Sequence, residues 1–283
     1  MLRGQRGSLH RLRDEAPLEI DEPTLKVVTL LFAPNPELFP TLSSCAGYDA
    51  TWVDKLARGV RRHLRGAEVI CLVDREYDFQ EPVKAVPMLR PDLGYFAFIE
   101  AFRPDLGIER GLFAQLDTIV TGSLADIASL DCDLAMPRDP YFPGKLTDSV
   151  MLFGRERADA LWQSYWSHPD ELAKRYRIAK WARPDGYPSE FYWIRDQVGQ
   201  MLTYLDDVLP GQVVSYKRSC LSGVDDQLPD GQLEPTREEL DAWMKRHPTI
   251  VPANARMVVF GGLPHPNQIT ASPGSEALIR HWR

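Results

Sequence analysis

Asp117 has the surroundings most typical of a functional residue in this chain. Two short apolar runs, 112–114 and 119–120, flank it, and small residues with a helix start follow at 121–126. An acid between two strand-like runs lies at a strand end, where neighbouring strands can bring further side chains together. The alternative is an Asp that caps the turn after the strand. Gln115, two residues earlier, is either a polar ligand or an inward-facing strand residue.

Three further residues could do chemistry, and each also has a purely structural interpretation. Asp74 directly follows an apolar run and either contacts a ligand or starts a turn. Glu190 is either a carboxylate that faces a substrate or an acid favoured by the dipole at a helix N-terminus. His265 lies between two prolines. It is either a ligand-facing group whose protonation adds charge, or an exposed loop histidine.

The pattern around these residues predicts an α/β protein. Residues 26–33 and Glu68–Val73 are nearly continuous apolar runs, as expected of strands buried on both faces of a parallel sheet. Between them, residues 51–64 place their apolar side chains on one face, which predicts a helix. Thr51 and Asp54 form a candidate capping box at its start.

The alternation of strands and helices continues along the chain and predicts one large domain at 25–270. Residues 1–24 are expected to form an N-terminal tail, and residues 271–283 a C-terminal tail. A Pro- and Gly-rich loop is predicted at 221–236. Further strands are predicted at 83–88, 112–114, 119–120, 133–136, 149–153, 212–216 and 256–260. Further helices are predicted at 94–103, 124–128, 155–166, 170–178, 189–202 and 238–246.

Composition narrows the class of protein. The 283 residues carry a formal net charge of -7, and the basic residues are mostly dispersed, which makes nucleic acid an unlikely partner. The four cysteines show no Cys-x-x-Cys spacing, as expected of a reduced, cytoplasmic chain. No apolar stretch approaches the roughly 20 residues that span a bilayer. No signal peptide is apparent either, so we expect a soluble protein and leave peripheral membrane attachment open.

Several short segments, taken in order, resemble those of one family. They are 26–32, 52–62, 71–74, 94–102, 115–126, 149–153, 214–217 and 258–266. The series resembles nucleotide-sugar-dependent glycosyltransferases of the GT-A fold, in particular small bacterial members similar to family eight. Gln115-Leu116-Asp117 is similar to their metal element, Leu-Asp-Leu-Asp-x-Val, with Gln115 in place of the first acid. The resemblance implies a single Rossmann-like domain with a mixed, mostly parallel central sheet flanked by helices.

The resemblance also implies an activity and its residues. It implies transfer of a sugar from a nucleotide-diphosphate donor, of the UDP type, to a glycan, lipid or protein acceptor. Asp117, with Gln115, would hold Mn²⁺ or Mg²⁺, which supplies Lewis-acid stabilisation to the leaving diphosphate. The implied catalytic residues are Asp117 and Glu190. The implied nucleotide-sugar-binding residues are Phe32, Ala33, Asp74, Gln115, Asp117, Ser149 and His265.

The chain departs from the family pattern at several charged positions, which leaves three hypotheses. Gln115 is one departure; Gly261 stands where the family has a metal-binding His, and His265 where it has a Lys that reaches the diphosphate. Phe98 and Pro188 also replace polar residues of the pattern. The first hypothesis is the glycosyltransferase described above, in which Asp117 and Gln115 face the diphosphate with or without a cation. The second is a catalytically inactive GT-A-like binding or assembly module. The third is a metal-independent transferase in which protein cations replace the metal.

Overall fold

The structure is a computed structural model that describes residues 25–33, 47–180, 183–188, 190–198, 202–222 and 236–283. The expected tail at 1–24 and nearly all of the expected loop at 221–236 lie outside these residues. The strands described are β1 (Lys26–Leu31), β2 (Glu68–Val73), β3 (Lys84–Pro87), β4 (Arg110–Ala114), β5 (Thr118–Val120), β6 (Leu134–Met136), β7 (Val150–Gly154), β8 (Arg177–Lys180), β9 (Arg183–Pro188), β10 (Thr203–Tyr204), β11 (Val213–Ser215) and β12 (Met257–Val259). The α-helices described are α1 (Ala50–His63), α2 (Ala125–Ser129), α3 (Arg155–Trp166), α4 (Pro169–Arg175), α5 (Glu190–Val198), α6 (Leu205–Val208), α7 (Arg237–Arg246) and α8 (Glu276–His281).

The central sheet is mixed and mostly parallel, as predicted. Its seven strands have the order β10-β6-β7-β4-β1-β2-β3. Strand β1 pairs in parallel with β2 and β4, and β2 pairs in parallel with β3. Strand β7 runs antiparallel to both β4 and β6. A smaller sheet of order β11-β12-β5 adjoins the end of β4, with β11 and β12 parallel.

Alternate side chains of the inner strands enter two separate cores. Val27 and Leu31 of β1 pack in the core that also contains buried residues of α1, whereas Val28 and Leu30 pack in the other. The second core contains the aromatic 3₁₀ segment Pro91–Phe102 and residues of α3. Burial on both faces explains why β1 and β2 are continuous apolar runs, and confirms the predicted strands.

Helix α1 begins one residue before the predicted start, and its cap is not the predicted capping box. Asp49 is the N-cap, and its carboxylate accepts the backbone N–H of Thr51. Asp54 is buried and accepts the backbone N–H groups of Gln80 and Glu81 instead. The capping-box prediction was wrong because Asp49 and Thr51 are both good cap residues, and a tertiary contact recruits Asp54.

Most other elements lie within a few residues of their predicted positions, and β10, α6 and α8 are additions to them. Helix α3 has the predicted bounds, whereas α4 ends at Arg175 because the chain then turns into a hairpin of β8 and β9 that the sequence did not predict. The interpretation of 170–178 as one helix was therefore wrong at its end. Across the described residues, no helix is long and apolar enough to cross a bilayer.

The last residues of the chain pack against the core, although a tail was expected at 271–283. Helix α8 buries Leu278, and Trp282 packs edge-on against Trp52 with ring centroids 5.0 Å apart. Lys55 Nζ lies 3.6 Å from the centre of the Trp282 ring, which adds a cation–π contact. Trp282 therefore docks the end of the chain on α1, and Leu278 is buried in the same core.

Two histidines at this contact make it sensitive to pH. The rings of His63 and His281 lie 5.7 Å apart. Burial lowers the pKa of both below the ordinary value near 6.5, and nearby positive charges add to this, with Arg62 acting on both. A lowered folded-state pKa means that the unfolded chain takes up protons first. The stability that the neutral pair contributes is therefore present above about pH 6.5 and lost as the pH falls below it.

We expect the melting temperature of the wild-type chain to fall more between pH 7.5 and 5.5 than that of the double variant His63→Gln/His281→Gln. Gln cannot take up the proton whose uptake favours the unfolded state. Thermal denaturation followed by circular dichroism at both pH values measures the two drops. His168→Gln, at an exposed histidine, is the control and should keep the wild-type drop. Equal drops in the wild-type chain and the double variant would contradict the assignment.

Candidate functional site

A cavity of about 480 Å³ opens where several strands of both sheets end. Pairing of Ala114 with Val150 brings Gln115, just after β4, next to Ser149, just before β7. The backbone N–H of Gln115 donates to the Ser149 carbonyl at 3.0 Å. Ligands of open α/β sheets bind outside the carboxyl ends of strands, and this volume is typical of small-molecule pockets. The lining residues are Gln115, Pro137, Arg138, Asp139, Pro140, Tyr141, Pro143, Thr147, Asp148, Ser149, Asp206, Gly211, Val213, Val214, Ser215, Lys217, Arg218, Ser219, Val259, Phe260 and Gly261.

Asp117 lies in the turn between β4 and β5, immediately behind the cavity. The N–H of Thr118 donates to the Gln115 carbonyl at 3.1 Å, which closes the turn. The side chain of Asp117 is only 2% exposed. Its Oδ2 accepts the backbone N–H of Gly262 at 3.2 Å, while its Oδ1 is buried and accepts no hydrogen bond from the residues that the structure describes. A buried carboxylate with one unpaired oxygen is costly, which is typical of functional positions.

Burial raises the pKa of Asp117 above its ordinary value. Three neighbours oppose this rise: the charge of His265, the hydrogen bond from the Gly262 amide and the charge of Lys217. The largest contribution is desolvation, because a carboxylate loses its hydration inside the protein. Asp117 therefore holds its negative charge less readily than a surface Asp.

The loop after β12 connects Asp117 to the cavity. Gly261 and Gly262 have φ angles of 56° and 88°, in the left-handed region that glycine adopts without a Cβ clash. Lys217 Nζ donates to the Gly261 carbonyl at 2.9 Å. Lys217 belongs to a π-helical turn, Tyr216–Cys220, directly after β11. Such turns are uncommon and often lie at functional sites.

His265 is buried, at 7% exposure, so the interpretation as an exposed loop histidine was wrong. Its ring packs edge-on against Tyr48 and Trp52, with centroids 5.5 and 5.9 Å away. Its Nδ1 lies 3.4 Å from the Tyr48 hydroxyl. His265 does not line the cavity, but its charge opposes the rise in the pKa of Asp117.

Asp74, Phe32 and Ala33 lie together at the ends of β1 and β2. Asp74 Oδ2 accepts the backbone N–H of Ala33 at 3.0 Å, and its Oδ1 accepts the Tyr77 hydroxyl at 2.8 Å. Burial, together with this hydrogen bond, raises the pKa of Tyr77 to about 12. Phe32 packs edge-on against Phe98, with centroids 6.3 Å apart. These three predicted residues form a group of their own at the sheet edge and do not line the cavity.

The remaining two predicted residues differ in their relation to the cavity. Ser149 is buried and lines it, with its hydroxyl 3.4 Å from that of Thr147. Glu190 is the first residue of α5, with 0% exposure, and does not line the cavity. Of the predicted residues, the structure brings Gln115 and Ser149 to the cavity wall and places Asp117 directly behind it.

Several charged residues of the cavity were not among the predicted site residues. Arg138 stacks over Tyr204 and pairs with Asp207 at 2.6 Å, while Arg218 lies over Tyr141. Asp148 accepts the Gln115 side-chain amide at 3.4 Å. Lys217 and Arg218 follow β11 after one intervening residue, Tyr216. They would have been a usable signal, because two cations just beyond a strand end can meet an anionic ligand.

Comparisons with solved structures identify the arrangement of strands. The chain superposes on the glycosyltransferase GlyE of Streptococcus pneumoniae TIGR4 with a TM-score of 0.54, at 14% identity over 92% of this chain and 61% of GlyE. An active-site mutant of LgtC gives a TM-score of 0.54 at 11% identity, over 90% of this chain and 94% of LgtC. The chain has the GT-A fold.

Other comparisons set the extent of this similarity. The bifunctional glycosyltransferase WbbM gives a TM-score of 0.55 at 9% identity, over 93% of this chain and 52% of WbbM. The GT-A chain thus spans about half to three fifths of the length of WbbM and GlyE. No protein-family model and no curated protein matches the sequence. At these identities the match concerns the GT-A fold alone.

The two residues predicted to hold the divalent cation that the resemblance implies do not by themselves form a site for it. Asp117 is the one carboxylate of the two predicted ligands, and its Oδ2 already accepts the Gly262 amide. Gln115 adds an uncharged amide, and Gly261 adds no side chain. Within the described ranges, no group of three or more His, Cys, Asp or Glu could hold a metal ion. Because Mg²⁺-like cations require about six oxygens, these side chains alone form no metal site.

Proposed function

We propose that the chain is a glycosyltransferase that moves a sugar from a nucleotide-diphosphate donor to a glycan, lipid or protein acceptor. A UDP sugar is the first donor to test. The observation that carries the proposal is the meeting of Gln115, Ser149 and Lys217 on one cavity at the strand ends of a GT-A sheet. The cavity volume of about 480 Å³ suits a sugar with its phosphates.

The proposed reaction exchanges one bond of the anomeric carbon for another. The bond from this carbon to the phosphate oxygen breaks, and its electron pair stays on the leaving nucleoside diphosphate. The acceptor hydroxyl oxygen forms the new bond to carbon, and its proton passes to a phosphate oxygen of the leaving group or to water. Negative charge therefore increases on the diphosphate, and groups that face it with positive charge or N–H donors accelerate the reaction.

Each predicted residue has a role in this proposal. Gln115 and Ser149 contact the sugar and phosphates in the cavity with an amide and a hydroxyl. Asp117 positions the glycine loop through the Gly262 amide. Phe32, Ala33 and Asp74 bind the nucleoside at the ends of β1 and β2. His265 contributes charge close to Asp117. Glu190 is proposed as a second carboxylate of the reaction.

The test is release of nucleoside diphosphate from a panel of UDP, GDP and CDP sugars incubated with the purified full chain and Mn²⁺. We expect slow release from one donor class even without the acceptor, because water can accept the sugar. Glu109→Ala is the control variant, since Glu109 is exposed and distant in its contacts from the cavity. Binding of a donor without any release, with acceptors supplied, would favour the inactive binding module. Neither binding nor release with any donor would overturn the proposal.

A further inference from the structure

Lys217 brings a positive charge to the wall of the cavity, beside the loop after β12. Its side chain lines the cavity, and its ammonium group donates to the Gly261 carbonyl at 2.9 Å. Gly261 follows Phe260, whose backbone N–H donates to the Asp117 carbonyl at 3.2 Å. The positive charge is thus fixed between the loop after β12 and the turn that contains Asp117.

Asp117 and the loop after β12 keep the ammonium group of Lys217 in position. The buried carboxylate of Asp117 interacts electrostatically with Lys217. Parallel pairing of Val214 with Val258, and of Ser215 with Val259, brings the end of β11 next to the loop that starts at Phe260. An ammonium group carries three N–H donors, so it can bond the Gly261 carbonyl and also contact an oxygen of a ligand. Lys binds phosphate as a compact point charge.

The two arginines that line the cavity, Arg138 and Arg218, are less suited to contact a phosphate oxygen of the ligand. The Arg138 guanidinium pairs with Asp207 at 2.6 Å and stacks 3.8 Å from the centre of the Tyr204 ring. The Arg218 guanidinium lies 4.5 Å from the centre of the Tyr141 ring. Both are thus held against aromatic rings at the wall of the cavity. Lys217 Nζ is farther from the Tyr141 ring, 6.0 Å from its centre, and is bonded to the backbone of the loop beside Asp117.

We propose that Lys217 offsets part of the negative charge of the donor diphosphate in place of a divalent cation, so that nucleoside diphosphates bind this chain without metal. The inference rests on the proposed function and goes beyond it. It assigns to Lys217 the positive charge that a bound cation would bring, since Gln115 and Gly261 replace the acid and the histidine that would hold that cation. As the diphosphate leaves, the Lys217 ammonium group stabilises its growing negative charge. Asp117 is then a positioning residue, because its carboxylate holds the Gly262 amide and attracts the Lys217 ammonium group.

The test is isothermal titration calorimetry of the full chain with UDP, GDP and CDP, in excess EDTA and separately in Mn²⁺. We expect one nucleoside diphosphate to bind in EDTA with an affinity within a few-fold of that in Mn²⁺. We expect Lys217→Met to weaken binding in EDTA by roughly 10- to 100-fold, as loss of a charged hydrogen bond does. Lys217→Arg, which keeps the charge, should restore most of the affinity.

Lys245→Met removes an exposed lysine of α7 and is the matched control; it should bind like the wild-type chain. Circular dichroism of each variant checks that it is folded. Binding in Mn²⁺ but not in EDTA would overturn the inference and leave the proposed function intact. Equal binding by the wild-type chain and folded Lys217→Met would also overturn it. If none of the three nucleotides binds in either EDTA or Mn²⁺, the result contradicts the proposed function and, with it, this inference.

Discussion

Asp117→Asn is expected to reduce sugar transfer by on the order of 100-fold, because a small displacement of the groups that contact the substrate has an effect of that size. The substitution removes the negative charge that interacts with Lys217, while an Asn oxygen can still accept the Gly262 amide. Initial rates of donor turnover compare the two proteins. Asp131→Asn, at an exposed acid, is the control and should keep the wild-type rate.

The same variant is expected to be more stable than the wild-type chain at neutral pH. Burial raises the pKa of Asp117, so the folded chain binds this proton more tightly than the unfolded chain. The stability that protonated Asp117 contributes is present at low pH and is lost as the pH rises through the raised pKa. Asn does not titrate and avoids this loss. Removing a buried charge of this kind should therefore raise the Tm, and each 1 kcal/mol gained would correspond to roughly 2–4 °C.

Thermal denaturation at pH 5 and pH 8 separates this effect from a general change in packing. The Tm advantage of Asp117→Asn over the wild-type chain should be larger at pH 8. Asp131→Asn should show no pH-dependent advantage. A variant that is both inactive and less stable at pH 8 would instead mean that the carboxylate is structural, and the positioning role of Asp117 would then be rejected.

Glu100→Ala is expected to destabilise the fold by about 3 kcal/mol, because it removes one partner from a buried ion pair. Glu100 has 0% exposure, and its carboxylate accepts the backbone N–H groups of Leu89 and Arg90, both at 2.7 Å. It also accepts Arg103 Nη1 at 3.1 Å. The substitution leaves these donors without the carboxylate that they share. Urea denaturation gives the free energy of unfolding.

Glu109→Ala is the matched control for this prediction. Glu109 also pairs with an arginine, Arg155, at 3.1 Å, but its side chain is 77% exposed. Loss of such a surface pair should change the free energy of unfolding by at most about 1 kcal/mol. If both variants lower the free energy of unfolding by similar amounts, burial of the Glu100 carboxylate does not strengthen its contribution to stability, and the prediction is contradicted.

The central sheet was predictable because its strands have a local signature. Residues of β1 and β2 enter a core on both faces, so nearly every position must be apolar, and the bounds of β2 match the prediction. The cap of α1 was not predictable to the residue. Asp49 and Thr51 are both cap formers, and the choice depends on Asp54 being buried under the Gln80–Glu81 backbone.

The site was predictable only in the part that follows from adjacent strands. The pairing of β4 with β7 brings Gln115 to Ser149, and both were predicted. Lys217 was missed because its role depends on the pairing of β11 with β12, which are about forty residues apart in sequence. The two adjacent cations after β11 mark Lys217 as a candidate, but only that pairing shows that its ammonium group reaches Gly261.

The structure of the full chain with a bound nucleoside diphosphate tests the central claim most directly. Crystals would be soaked or grown with the nucleotide that binds most tightly in calorimetry, in EDTA. The account predicts the diphosphate in the cavity, within hydrogen-bonding distance of Lys217 Nζ and next to Gln115 and Ser149. It predicts the nucleoside near Asp74, at the ends of β1 and β2. A nucleotide bound elsewhere on the surface, with the cavity free of phosphate, would contradict it.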